Sequence, residues 1–239
     1  MKQIDLILEN PESDTATENA VKLQGALMKL IDTSLADDLH NISIRPYSLF
    51  TVRRDDSLVF RVSALAEKGF PLIEACKTAR AFHLAGARKA VRILRRVLYE
   101  DVSLEDMCTP APAAFSMLFA SPATYKQASG YQNWFSLPPL LISVADKMRA
   151  FEGVDVSNDV LDEIDKSVVL SAYELRSATY NIKRGNFIKG FQGEIKYELS
   201  GLHPDLKGAL MLLVRYACYC GAGAKTALGM GGILLNEQV

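Results

Sequence analysis

The sequence predicts an α+β chain in which the element order β-α-β-β-α-β occurs twice in succession. Three observations lead there. Each half opens on a short apolar or alternating stretch, Lys2 to Leu8 and Phe115 to Phe119, followed by residues in a helical pattern. Each half then holds two strand-like stretches around a polar turn, Arg53-Arg54-Asp55-Asp56-Ser57 in one and Lys183-Arg184-Gly185-Asn186 in the other. Each closes with a helix entered at a proline, Pro71 or Pro204, and a last extended stretch. Two such orders define tandem ferredoxin-like (RRM-like) βαββαβ domains, residues 1–108 and 109–239.

In the first half, Ile4, Leu6 and Leu8 share one side of a half-buried strand. Thr15-Ala-Thr-Glu18 is a capping-box pattern, after which Ala20, Leu23, Leu27, Leu30, Ile31 and Leu35 recur at helical spacing, predicting one helix that ends near His40. Ile42 to Val52 and Leu58 to Leu65 are read as the hairpin. Leu72, Ile73, Cys76 and Ala79 form the inner face of the second helix. Arg88 to Leu98 fits both a helical stripe and a strand, and the element order selects the strand. Cys108-Thr-Pro-Ala-Pro112 breaks both patterns and reads as a connector.

In the second half, Leu137 to Phe151 and Asn158 to Leu170 supply helical material. Ala172 to Ile182 and Phe187 to Leu199 are the hairpin strands, and in the second of them Phe191, Ile195, Tyr197 and Leu199 alternate with polar residues. Leu206, Leu210, Leu213, Val214 and Ala217 share a helix face, and Leu228 to Leu235 is read as the last strand.

Composition narrows the function classes. No apolar run approaches the roughly 18 residues of a membrane span, and the N-terminus does not read as a signal peptide, so a cytoplasmic protein is expected. The 4 cysteines and 3 histidines show no zinc spacing; reduced thiols, with neither metal nor cofactor, are expected. A net charge of -1 conceals an uneven distribution. Residues 40–100 carry 12 Lys/Arg against 5 Asp/Glu, and residues 171–239 carry 8 against 5, whereas the intervening blocks are acidic. A face built from the basic blocks suits a polyanion; the competing reading is solvated charge spread over several faces.

The stretch Gly221-Ala-Gly223-Ala-Lys225-Thr226-Ala-Leu-Gly229-Met-Gly231-Gly232 has the flexibility for a phosphate-binding loop. It is neither a Walker A loop, because Ala224 precedes Lys225, nor a dinucleotide fingerprint, because Thr226 stands where the third glycine belongs. The alternative is a turn between a helix and the last strand.

These stretches together resemble the CRISPR-associated repeat-processing endoribonucleases, the Cas six branch of the repeat-associated RNA-binding proteins. The resemblance rests on the Gly221–Gly231 loop, on Gly190-Phe-Gln-Gly193-Glu-Ile-Lys-Tyr197, on Leu39-His40-Asn-Ile-Ser-Ile-Arg45-Pro-Tyr47-Ser48, and on Phe119-Ala-Ser121-Pro122-Ala-Thr124. It implies cleavage of repeat RNA in a long CRISPR transcript to release guide RNAs. The partners it implies are CRISPR repeat RNA, a CRISPR effector complex and a second copy of the chain.

Such cleavage needs a base for the 2'-hydroxyl, positive charge for the crowded phosphorane and an acid for the leaving 5'-oxygen. Its products carry a 2',3'-cyclic phosphate and a 5'-hydroxyl. His40 matches the family's catalytic histidine, and an imidazole with an ordinary pKa of about 6.5 serves as base or acid. For a lone histidine at a helix end, capping is the commoner role; the resemblance turns the reading to catalysis. Arg45 would stabilise charge, since arginine does not give up its proton. The tyrosine that some family members place in the first helix is missing between Thr15 and Asp38, and Tyr47 or Ser48 is the candidate substitute, with Tyr47 taken into the catalytic set. Gly221, Gly223, Lys225, Thr226, Gly229 and Gly231 are expected to contact RNA phosphates. Arg53, Arg54, Arg88, Arg92, Arg95, Arg96, Lys183 and Arg184 are the further RNA-binding candidates. His83 and His203 are assigned structural or surface roles. The same residues admit a second reading, a non-catalytic RNA-binding subunit of an effector complex.

Overall fold

The computed structural model describes residues 1–9, 16–54, 57–128, 130–183 and 186–238. The first half contains β1 (Lys2–Leu8), α1 (Ala16–Met28), α2 (Thr33–Asn41), β2 (Tyr47–Arg54), β3 (Ser57–Ala64), α3 (Phe70–Thr78), β4 (Ala81–Phe82) and β5 (Val91–Tyr99). Its sheet runs β2-β3-β1-β5-β4 with every pairing antiparallel. Without the two-residue β4, this is the ferredoxin-like order.

The second half contains β6 (Ala114–Ala123), the small hairpin β7 (Tyr125–Gln127) and β8 (Gly130–Gln132), and the helices α4 (Leu137–Glu152) and α5 (Asn158–Ser167). It continues with β9 (Val169–Lys183), β10 (Asn186–Glu198), α6 (Pro204–Cys220) and β11 (Ile233–Gln238). The sheet order β11-β6-β10-β9 repeats that of the first half, again all antiparallel.

Each sheet buries one face under its helices. In the first, Ile4, Leu6 and Leu8 of β1 and Phe60 and Val62 of β3 pack against Leu23 and Leu27 of α1 and Leu72 and Ile73 of α3. In the second, Phe115, Met117 and Phe119 of β6 and Phe191, Ile195 and Tyr197 of β10 meet Leu140, Val144, Leu210 and Val214. The period-2 alternation that marks these strands in the sequence is this division between helix side and open side. A bulge bends β10 at Gly193, where φ is +135° and a Cβ would lie 2.0 Å from the Glu174 carbonyl oxygen.

Several sequence expectations need revision. The single helix expected from Ala20 to His40 is two, because the chain breaks after Met28 and restarts with Asp32 as N-cap, its carboxylate accepting the Ser34 N–H at 2.8 Å. The strand expected from Ile42 starts only at Tyr47. The last strand starts at Ile233, since Thr226–Leu228 form a 3-10 turn. The expected capping box rests on Thr15, and the two hairpin turns on Asp55, Asp56, Arg184 and Gly185; all of these lie outside the described residues.

The two domains are locked by polar and close-packed contacts. The Ser48 hydroxyl donates to the Tyr219 carbonyl across the interface. Within the first domain, Arg61 grips Asp5 with two hydrogen bonds of 2.7 Å on the sheet face away from the helices, where the pair is largely buried, and lies over the Phe50 ring. Arg215 of α6 donates to the carbonyls of Met107 (2.7 Å) and Thr109 (2.8 Å) and pairs with Glu237 at 2.7 Å, pinning the connector beneath the second domain. No helix among the described residues is long and apolar enough to cross a membrane.

Candidate active site and nucleic-acid interface

His40 lies in the last turn of α2. The preceding Leu39 is buried in the first core, so the next position on the helix faces solvent and His40 is exposed. Arg45, beyond the helix end, donates from Nη2 to the His40 carbonyl oxygen at 3.2 Å. A cation here satisfies one of the terminal carbonyls and opposes the negative end of the helix dipole. Lys68 supplies a second positive charge nearby through a 3.1 Å pair with Asp38, two residues before His40. His40 and Arg45 therefore put one imidazole and one guanidinium at a single helix end, while Lys68 is held by Asp38 on another side of α2.

Tyr47 does not join them as a reacting group. It is 2% exposed, its hydroxyl is hydrogen-bonded with Gln24 of α1, and burial raises its pKa. Its contribution is to fix α1 against the start of β2. The expectation that Tyr47 substitutes for a catalytic tyrosine fails because the β-strand alternation turns it into the core. His203 is an N-cap, its Nδ1 accepting the Asp205 N–H at 3.4 Å, and His83 is exposed.

The glycine-rich loop follows α6 and is largely interior. The N–H groups of Gly221, Ala222, Ala224, Leu228, Gly229, Met230 and Gly231 donate to backbone carbonyls, and those of Gly223 and Gly232 to the hydroxyls of Ser143 and Ser121. Those groups are unavailable to a phosphate. A Cβ on Gly231 would stand 2.0 Å from the Ala222 carbonyl oxygen, one on Gly229 2.5 Å from Ala20 Cβ, and one on Gly232 2.2 Å from the Phe50 ring. Ala227 inserts into the core of the first domain. The glycines thus permit close docking of the chain's end onto α1 and β2.

Lys147 of α4 holds the loop's entry by donating to the carbonyls of Cys220 (3.0 Å) and Gly221 (2.8 Å); burial lowers its pKa. Tyr180 of β9 holds its exit through a hydrogen bond to the Leu228 carbonyl. Of the expected contacts, Gly221, Gly229, Gly231 and Thr226 are buried and Gly223 is half-buried, whereas Lys225 is exposed. The backbone amides of Lys225, Thr226 and Ala227 have no acceptor among the described residues.

The arginines separate. Arg92 pairs with Glu9 at 3.0 Å, and Arg96 donates to the carbonyls of Cys76 and Ala79 at the end of α3. Arg95, its neighbour on β5, points to the opposite sheet face. Arg88 and Arg54 are exposed. Arg53 lines a cleft of about 730 Å³ between the sheets, facing Glu174, Arg176, Gln192 and Glu194. Arg184 and the Lys183 side chain lie outside the described residues.

A second hollow, of about 450 Å³, carries Lys225 on its rim together with Tyr131, Asn133, Asn186, Phe187 and Lys189. Ile182 and Ile188 complete its lining. Neither hollow includes His40 or Arg45. Sequence patterns did not single out Lys68, Tyr131, Phe187 or Lys189, because only the fold reveals that Lys68 reaches α2 and that the two aromatic rings face water. Among the described residues no group of three or more His, Cys, Asp and Glu is placed to hold a metal ion.

This fold is shared along its whole length by solved proteins. A Cas6 product complex superposes with a TM-score of 0.80 at 20% identity, covering 99% of both chains. Thermus thermophilus Cas6 gives 0.74 at 19% identity over 98% of both. The chain is accordingly of the class of paired ferredoxin-like proteins represented by these structures. In sequence, a CRISPR-associated endoribonuclease Cas6 of Streptococcus thermophilus is 26% identical over 230 residues, 93% of each chain. One of Mycobacterium tuberculosis is 25% identical over 222 residues, 88% of this chain and 69% of that one. The family model for CRISPR-associated endoribonuclease Cas6 matches residues 117–233. Over its second half by the family model, and over most of its length by these relatives, the chain is similar to the CRISPR-associated endoribonucleases Cas6.

Proposed function

We propose that this protein binds CRISPR repeat RNA and cuts the precursor transcript into guide RNAs by attack of a ribose 2'-hydroxyl on the adjoining phosphate, without a metal ion. The observation that carries the reading is the exposed His40 at the end of α2 with Arg45 fixed on its carbonyl. His40 takes the 2'-hydroxyl proton, the O2'–P bond forms, and the P–O5' bond breaks as the leaving 5'-oxygen takes a proton from water, the imidazolium then giving its own proton back to solvent. Arg45 offsets the charge that gathers on the phosphorane. Tyr47 and Gln24 act as positioning residues by fixing α1 on β2. Lys225 contacts the RNA backbone away from the cut.

The products test this chemistry. After the cut in the host's repeat RNA has been mapped, the 5' fragment is expected to end in a 2',3'-cyclic phosphate and the 3' fragment to begin with a 5'-hydroxyl. A single 2'-deoxy substitution at the nucleotide before the cut should abolish cleavage. Cleavage that survives that substitution, or a 5'-phosphate product, contradicts the scheme. Burial of Tyr47 removes the candidate partner of His40 in proton transfer, which favours one alternative, a non-catalytic RNA-binding subunit; that alternative predicts bound and intact repeat RNA.

A further inference from the structure

We propose that the hollow bordered by Tyr131, Phe187, Lys189 and Lys225 is a stacking site for an unpaired nucleotide of the bound RNA; the inference rests on the RNA-binding function above. Tyr131 is carried by the β7–β8 hairpin, an addition to the basic ferredoxin-like order, and Phe187 and Lys189 stand two residues apart near the start of β10. Alternation puts Phe187 and Lys189 on one face of that strand while Ile188 turns inward to pack with Tyr180 and Met230. Tyr131 is 43% exposed and Phe187 56%, so both rings hold apolar surface in water. Aromatic faces left open beside cations are the elements with which proteins bind single-stranded nucleic acid, the rings stacking on bases and the cations following the phosphates.

Charge selects the occupant. Among the described residues the lining contains Lys189 and Lys225 and no carboxylate, whereas the larger cleft at Arg53 also presents Glu174 and Glu194. Asn133 and Asn186 on the same rim each offer an amide donor and acceptor for a base edge. A volume of about 450 Å³ is that of a small-ligand site. A paired base has both faces covered by its neighbours in the stack, so the ring contact requires an unpaired one. The floor is rigid, since Ile188 belongs to the cluster that Tyr180 ties to the glycine-rich loop. A nucleotide held here would be anchored on the same loop that docks the two domains.

The test is equilibrium binding of the host's repeat RNA, with every variant made in a His40→Ala background so that the RNA stays intact. Tyr131→Ala and Phe187→Ala should each weaken binding about 5- to 100-fold. Tyr131→Phe should restore it. Tyr173→Ala, at a still more exposed tyrosine on β9 outside the hollow, should leave affinity within twofold. Unchanged affinity in both Tyr131→Ala and Phe187→Ala overturns the stacking site while leaving the functional reading intact. No salt-dependent binding by the parent protein overturns the functional reading itself.

Discussion

Arg45 serves two ends of one short segment: its guanidinium closes the α2 terminus on the His40 carbonyl and, in the proposed reaction, opposes phosphorane charge. The two roles separate by substitution. Arg45→Ala should lower single-turnover cleavage about 100-fold, while Arg45→Lys, which keeps the charge without the planar fork, should recover part of that loss. Equal cleavage by all three proteins would remove Arg45 from the site. The glycines show a comparable division between freedom and confinement. Gly25 lies within α1, and a Cβ added there would meet no atom within 4 Å, so Gly25→Ala should stabilise the protein by about 0.5–1 kcal/mol. A Cβ added at Gly232 would stand 2.2 Å from the Phe50 ring, so Gly232→Ala should destabilise by about 1–3 kcal/mol. Thermal melts of the two variants should move in opposite directions.

Among the elements, α6 does more than cover the second sheet. Arg215, 8% exposed, reaches the connector carbonyls and Glu237 of β11 at once. Arg215→Met would strand that carboxylate and those carbonyls and should cost about 3 kcal/mol, measured by urea denaturation. A loss under about 1 kcal/mol would show that the clamp contributes little. Strand and helix identity could be read from the sequence wherever a strong period persisted, as in Lys2–Leu8 and Phe191–Leu199. Even the ambiguous Arg88–Leu98 followed the element order into β5. The break between α1 and α2 escaped because Leu30 and Ile31 continue the apolar spacing although the backbone leaves the helix, with Asp32 restarting it. The β7–β8 hairpin escaped because three-residue strands carry no period. At the site, His40 and Arg45 were singled out through the family resemblance of Leu39 to Ser48, while the burial of Tyr47 and of the glycine loop depended on packing between the halves, which local sequence does not record.

The molecule as a whole is joined by its C-terminal segment, whose loop places Ala227 in the first domain's core and Gly232 under Phe50 before β11 completes the second sheet. Packing also determines which thiols can react. Burial pushes Cys76 and Cys218 up to about 12 and Cys220 to about 11, whereas Cys108 is exposed in the connector. A thiol reagent at about pH 8 should label Cys108 rapidly and the other three only on unfolding, because the thiolate is the reacting species. Fast labelling of Cys218 or Cys220 in the native protein would show that the α6 end separates from the first domain.

The most direct test of the catalytic assignment is cleavage of the host's repeat RNA in excess EDTA by the native protein and by His40→Ala. The account predicts discrete fragments from the native protein and a rate at least about 100-fold lower from His40→Ala, with RNA binding retained. Intact RNA with the native protein, or undiminished cleavage by the variant, would contradict it.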